Sequence, residues 1–248
     1  MPTHVPLALV TGAGIRLGRA VAEGLAARGM RVALHYHQHG AEAEDLARAL
    51  ARERAGAPAP PAQCFRANLA SAEEVERLAE AVEASMGLPD VLVLSAAIYP
   101  QDPLESIEAG RFEETLRVNL TGPFLLARRL GLRMRQRGGG QIIGLLDWSV
   151  DRPYVDRIPY TIAKAGLRAG LLGLARALAP EVRVNGLALG AVLLPEGTSP
   201  DLEERIRRAT PLRRIGAPAD VVGAVEYLLD AEFVTGTILP VDGGRSIA

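Results

Sequence analysis

Apolar positions along the chain follow two alternating patterns. Short continuous runs such as Val5-Pro-Leu-Ala-Leu-Val10 and Val91-Leu-Val-Leu94 have the length and density of strands buried on both faces. Between them lie longer stretches in which apolar residues recur at helical spacing. The pattern predicts strands over 5–10, 31–36, 63–66, 91–94, 142–146, 182–187 and 237–240. Helices are predicted after Gly18 as far as Arg28, where Gly29 is a natural stop, and over 41–54, 112–135, 160–178, 201–208 and 220–229. One more helix, starting at the Ser71-Ala-Glu-Glu cap, ends near Met86. Residues 56–61 read as a Pro-rich loop, 138–140 as a glycine turn, and 190–218 as a less regular segment.

Strand and helix alternate from end to end, with no linker and no internal repeat. That order implies one α/β domain over 1–248, with a parallel sheet of about seven strands covered by helices on both faces. Such doubly wound sheets bind ligands outside the carboxyl ends of their strands. The residues following those ends are Thr11, His37, Asn68, Ser95, Asp147 and Gly190.

Composition narrows the function more than the fold. A hydrophobic content of 48% is enough for a large core, and a net charge of −1 leaves no electrostatic footprint for nucleic acid or an anionic membrane. The start, Met-Pro-Thr-His, lacks the basic and apolar regions of a signal peptide, and no run approaches a membrane span. The single cysteine, Cys64, rules out an internal disulfide and fits a reducing compartment. The expectation is a soluble, cytoplasmic protein. Few asparagines and the preference for arginine over lysine fit a heat-tolerant source, as GC-rich coding also would.

Of the 28 lysines and arginines, one is lysine, Lys164. A chain that uses arginine wherever a positive charge suffices has kept an ammonium there, and the compact ammonium and the planar guanidinium do not interchange at a tight site. Tyr160 stands four residues earlier, on the same face of the predicted helix. A cation beside a phenol favours the phenolate, so the pair could give and take a proton. At the other end of the chain, Thr11-Gly12-Ala-Gly14-Ile-Arg16-Leu17-Gly18 joins a buried strand to a helix. Glycines there let the backbone approach a pyrophosphate, and the helix N-terminus offers it free N–H groups.

Together with Asn119, Asp147, Tyr160, Lys164 and the ending Val241-Asp-Gly-Gly244, these features resemble the short-chain dehydrogenase/reductases over nearly the whole length, which implies a Rossmann-like sheet. Within that family the sequence looks closest to the pteridine reductases. These share Arg16 in place of a glycine, the strand ending His35-Tyr36-His37, and an aspartate, Asp147, thirteen residues before Tyr160 where most relatives have serine. A carboxyl there can serve a ring nitrogen, which suits reduction of a C=N bond. The resemblance implies Asp147, Tyr160, Lys164 and Asn119 as catalytic residues. It implies a pterin-like substrate held by Arg16, Tyr99, Asp147 and Tyr160, with Tyr99 as the stacking aromatic. The cofactor would lie along Gly12, Arg16, Leu17, Gly18, His37, Gln38, His39, Asn68, Leu69, Ser95, Ala96, Tyr160, Lys164 and Gly190. Asn119 would stabilise a helix kink and hold a water beside Lys164. A homotetramer and a lid over 195–200 are also implied.

Departures from the family pattern are Leu94-Ser95-Ala96 for its Asn-Asn-Ala, Asn68 for an aspartate, Gln38 for an arginine, and Leu189-Gly190 for its Pro-Gly. No carboxylate follows the second strand before Glu42, so NADPH is favoured over NADH, with Arg16, His37, Gln38 and His39 available to a phosphate. His35, His37 and His39 share one parity, but with no Cys or Asp nearby they read as phosphate contacts and packing, and no metal is expected. Trp148, the one tryptophan, would wall the pocket beside Asp147. The reading is an NADPH-dependent pterin or dihydrofolate reductase; its rivals are a carbonyl reductase of 3-oxoacyl or sugar type and a non-catalytic NADP-binding protein.

Overall fold

The computed structural model describes residues 4–53, 61–195 and 197–248, so most of the predicted loop over 56–61 and Glu196 of the predicted lid lie outside the described residues. Seven strands form one sheet: β1 (Leu7–Val10), β2 (Arg31–Tyr36), β3 (Ala62–Arg66), β4 (Val91–Leu94), β5 (Gly140–Asp147), β6 (Val182–Leu189) and β7 (Ile238–Val241). Their order is β3-β2-β1-β4-β5-β6-β7, and every neighbouring pair is parallel. The order reverses between β1 and β4, which opens a crevice at the carboxyl ends of those two strands.

The helices are α1 (Arg16–Ala27), α2 (Gly40–Glu53), α3 (Ala72–Met86), α4 (Ala109–Leu116), α5 (Gly122–Arg137), α6 (Ile158–Leu178), α7 (Pro200–Ala209) and α8 (Pro218–Asp230). The unbroken apolar strands follow from cover on both faces. In β1, Leu7 and Leu9 join the core under α3, α5 and α6, whereas Ala8 and Val10 join the opposite core under α1, α2 and α8. Leu94, where the family has asparagine, packs in the first of these cores at 2% exposure.

The structure departs from the sequence expectation chiefly at the helix predicted over 112–135. The segment is α4 and α5 joined by a π-helical turn over Arg117–Thr121, with Asn119 buried inside the turn. A π turn inserts a residue into the helical ladder, which hydrophobic spacing does not reveal. On α6, Leu171, Leu174 and Leu178 are buried against the sheet, whereas Leu172 is exposed. α1 starts two residues before Gly18, at Arg16. Among the described residues, no helix is long and apolar enough to cross a membrane.

Candidate active site

The turn between β1 and α1 is built by close backbone approaches. Gly12 has φ +67°, which favours glycine, and a Cβ on Gly18 would lie 2.1 Å from the Gly12 carbonyl oxygen. A Cβ on Gly14 would lie 2.8 Å from the carbonyl oxygen of His39. Arg16 holds φ +52°, the left-handed region, where a glycine would be unstrained. Its guanidinium donates to the carbonyl of Leu193, which is also left-handed at φ +51°. Buried Thr11 clips the two strand ends together: its Oγ1 accepts from Ser95 N at 2.9 Å and Ala96 N at 3.0 Å.

His35, a packing residue on the sequence reading, supports this turn from beneath. Its Nδ1 accepts from Gly12 N at 3.2 Å, and its Nε2 lies 3.0 Å from the Ala67 carbonyl oxygen. A neutral ring with its hydrogen on Nε2 satisfies both partners. Burial is the main reason its pKa falls to about 4; the Ala67 bond opposes this and the charge of His37 adds to it. The three alternate histidines do not converge: His37 is exposed, and His39 pairs with Glu42 at 3.2 Å.

Asp147, Tyr160 and Lys164 meet over the carboxyl end of β5. Asp147 is the last residue of that strand, and its Oδ1 accepts from Ser149 N at 2.8 Å, which fixes the carboxyl group. Pro159 in the first turn of α6, followed by Ala- and Leu-rich positions, starts the helix that carries the other two residues. Tyr160 Oη donates to Asp147 Oδ2 at 3.2 Å. Lys164 is buried, and its Nζ donates to the Leu145 carbonyl at 2.8 Å.

The expectation that Lys164 holds Tyr160 toward the phenolate is not met. Burial first, then the adjacent Asp147 carboxylate, push the Tyr160 pKa well above its ordinary value. The ammonium is directed at Leu145 and lies 5.8 Å from the centre of the phenol ring. Burial also lowers Lys164 to about 8, a shift that Asp147 opposes. The arrangement is therefore a neutral phenol donating to a carboxyl group, above a buried amine.

These residues line one crevice of about 710 Å³, together with Gly12, Arg16, Leu17, Gly18, His37, Gln38, His39, Asn68, Leu69, Ser95, Ala96, Tyr99 and Gly190. Asn119 is the exception. It is fully buried, and its amide is occupied by the Ile98 peptide, accepting from N at 2.9 Å and donating to O at 2.8 Å. It therefore holds the segment leaving β4 and does not face the crevice. Asn68 also has a local duty, its Oδ1 accepting from Ala70 N at 2.9 Å. Gly190 approaches Asp242 so closely that a Cβ would lie 2.6 Å from the Asp242 Cα.

An aromatic wall stands beyond Tyr160 and Asp147. The Tyr99 ring meets Tyr160 edge-on at 4.7 Å and Tyr154 at 6.0 Å, and Trp148 Nε1 donates to Tyr154 Oη at 2.8 Å. Arg157 lies 4.0 Å from the Tyr99 ring centre, and Arg245 lies 5.0 Å from that of Trp148. Tyr154, Arg157 and Arg245 escaped the sequence reading because they belong to irregular segments that carry no periodic signal.

The turn and crevice fit a dinucleotide on local grounds: the Gly12–Gly18 contact leaves the backbone bare, and Ile15 before α1 makes no side-chain cap. Comparison with known proteins agrees. The family profile described as enoyl-(acyl carrier protein) reductase matches residues 12–246. A protein named ketoacyl reductase 2 of the granaticin polyketide synthase of Streptomyces violaceoruber is 32% identical, covering 98% of this chain and 97% of its own. An NADPH-dependent aldehyde reductase-like chloroplastic protein of Arabidopsis thaliana is 32% identical, with 98% and 95% covered. Pteridine reductase 1 of Leishmania tarentolae is likewise 32% identical, with 98% and 96% covered. The chain belongs to the short-chain dehydrogenase/reductase family and is an NAD(P)-dependent oxidoreductase. Equal identity to proteins named for ketoacyl reductase, aldehyde reductase-like and pteridine reductase does not single out the pteridine reductases as nearest.

Proposed function

We propose that this protein reduces a C=N bond of a pterin or dihydrofolate-type ring with NADPH. The observation that carries the reading is the 3.2 Å contact between the Tyr160 hydroxyl and the Asp147 carboxyl group at the crevice floor. A phenol hydrogen-bonded to a carboxyl group offers two oxygens between which a proton can move, matched to a ring nitrogen that must gain one. When bound, the nicotinamide supplies the hydride. Tyr160 delivers the proton to the substrate nitrogen, Asp147 holds the hydroxyl in place, and the tyrosinate regains its proton from solvent by way of the Asp147 carboxylate. Lys164 anchors the cofactor's ribose and keeps α6 fixed to β5 through Leu145. Glycines 12, 14 and 18 and the N-terminus of α1 receive the pyrophosphate. His37, Gln38 and His39, exposed at the end of β2, receive the 2′-phosphate of NADPH, since Glu42 is the first carboxylate beyond that strand and is held by His39. Ile162 and Leu172, exposed on α6, belong to the helix face through which a homotetramer assembles.

A second reading, a carbonyl reductase, draws on one observation: Arg157 covers a face of Tyr99 at 4.0 Å, where a flat ring would otherwise stack. The two are separated by recording loss of nicotinamide absorbance with dihydrobiopterin, dihydrofolate and a 3-oxoester, in the protein and in Asp147→Ser. The pterin reading expects turnover of a pterin that the serine variant loses. Silence with both pterins across pH, alongside ketone turnover that the serine improves, would overturn it.

A further inference from the structure

The outer half of the crevice holds two cations that no described carboxylate neutralises. Some arginines of this chain have acidic partners, as in Arg19–Glu23 at 2.9 Å, Arg117–Glu113 at 2.9 Å and Arg214–Asp220 at 2.6 Å, whereas others, such as Arg16 and Arg183, bond to backbone carbonyls instead. Arg157 and Arg245 have none within 4.0 Å among the described residues. Each instead lies on an aromatic ring of the crevice wall, Arg157 on Tyr99 and Arg245 on Trp148. Arg157 does have a local role, donating to the Tyr99 carbonyl at 3.1 Å. Arg245 lacks one for its Nη1, which is buried with no hydrogen-bond partner among the described residues. A buried cationic N–H without an acceptor is costly and uncommon in a folded protein, so an acceptor supplied by a ligand is the economical explanation.

Geometry limits what that acceptor can be. Trp148 directly follows Asp147, and its ring is pinned through Tyr154 by the 2.8 Å bond from Nε1. Arg245, packed on that pinned ring, lines the same crevice as Asp147 and Tyr160. Guanidinium laid on an aromatic face keeps its edge free, and that edge matches the two oxygens of a carboxylate. We propose that the physiological substrate carries a carboxylate separate from its reducible bond, held by Arg245 with Arg157 as the second cation. The inference rests on the crevice being a reductase site, and holds for a C=N or a C=O centre.

The test uses matched substrates with NADPH: dihydrofolate, which carries carboxylates, against dihydrobiopterin, which carries none, and acetoacetate against its ethyl ester. The intact protein is expected to favour the carboxylate member of whichever pair it reduces. Arg245→Gln should raise KM for that member about tenfold more than for its neutral partner, with Arg245→Lys recovering part of the difference. An equal effect on both members, or preference for the neutral one in the intact protein, would overturn the assignment. A readout without turnover comes from Trp148, the one tryptophan, whose fluorescence should change saturably with benzoate and not with benzamide, and lose that response in Arg245→Gln. If neither pair is reduced, this titration decides alone: saturation by benzoate upholds the carboxylate site, and no response refutes it. Selectivity for acetoacetate with silence toward both pterins would refute the pterin reading and leave the carboxylate site standing.

Discussion

The histidine beneath the glycine turn makes the stability of this protein depend on pH in a window set by one side chain. His35 is 2% exposed, and its Nδ1 must stay unprotonated to accept from Gly12. Its pKa falls from 6.5 to about 4 in the folded chain. The unfolded chain therefore takes up a proton first as pH falls, so His35 contributes fully above pH 6.5 and its contribution is lost down to pH 4. With about 1.36 kcal/mol for each tenfold change, the loss is about 2 kcal/mol by pH 5 and about 3 kcal/mol by pH 4. Urea unfolding at pH 7.5 and pH 5 measures it, with His35→Phe as reference. The phenylalanine variant should be less stable at pH 7.5, because Gly12 N and Ala67 O lose their partner, yet lose about 2 kcal/mol less on acidification than the intact protein does. If that variant does not fold, the ring can be followed directly by NMR, since the chain has only four histidines. Parallel decline of both proteins, or a folded-state His35 titrating near 6.5, would refute the reasoning.

Other substitutions probe the floor and the cradle. Tyr160→Phe should cut kcat by roughly 10²- to 10⁴-fold while NADPH still binds, as judged by calorimetry, because only the proton donor is lost. Lys164→Arg should abolish tight cofactor binding and lower the thermal midpoint, because a guanidinium cannot reproduce the 2.8 Å bond to Leu145 in a tightly packed site. Asn119→Ala should destabilise by about 2–3 kcal/mol in denaturant, since both bonds to the Ile98 peptide disappear and leave buried groups unpaired. Gly18→Ala should prevent dinucleotide binding in the same calorimetric assay, as its Cβ would fall 2.1 Å from the Gly12 oxygen.

Much of this architecture was legible because the sheet is covered on both sides. Strands such as Val91–Leu94 then appear as unbroken apolar runs, and the intervening helices show their own spacing. The turn between β1 and α1 was legible too, since its close backbone approaches require glycines in a fixed context. What escaped depends on orientation. Periodicity put Tyr160 and Lys164 on one helix face, but could not show that the amine turns to Leu145 while the phenol turns to Asp147. The resemblance implied that Asn119 stabilises a helix kink, and it does sit in a π turn; its actual partner, the Ile98 peptide, is a tertiary contact across 21 residues. Arg157 and Arg245 were invisible because loop residues advertise neither their neighbours nor the rings they cover.

The two ends of the crevice are made of different material. Around Gly12, Gly14, Gly18 and the Thr11 clip, main-chain groups set the surface, so neighbouring side chains such as Leu94 and Ser95 can drift without reshaping it. Around Trp148, Tyr154, Arg157 and Arg245, aromatic rings and guanidinium groups contribute to the wall, carried on segments outside the sheet. Exchanging a few of those tips could hand this scaffold a new molecule to reduce while its redox partner stays the same, a division of labour that makes the protein a natural starting point for redesign.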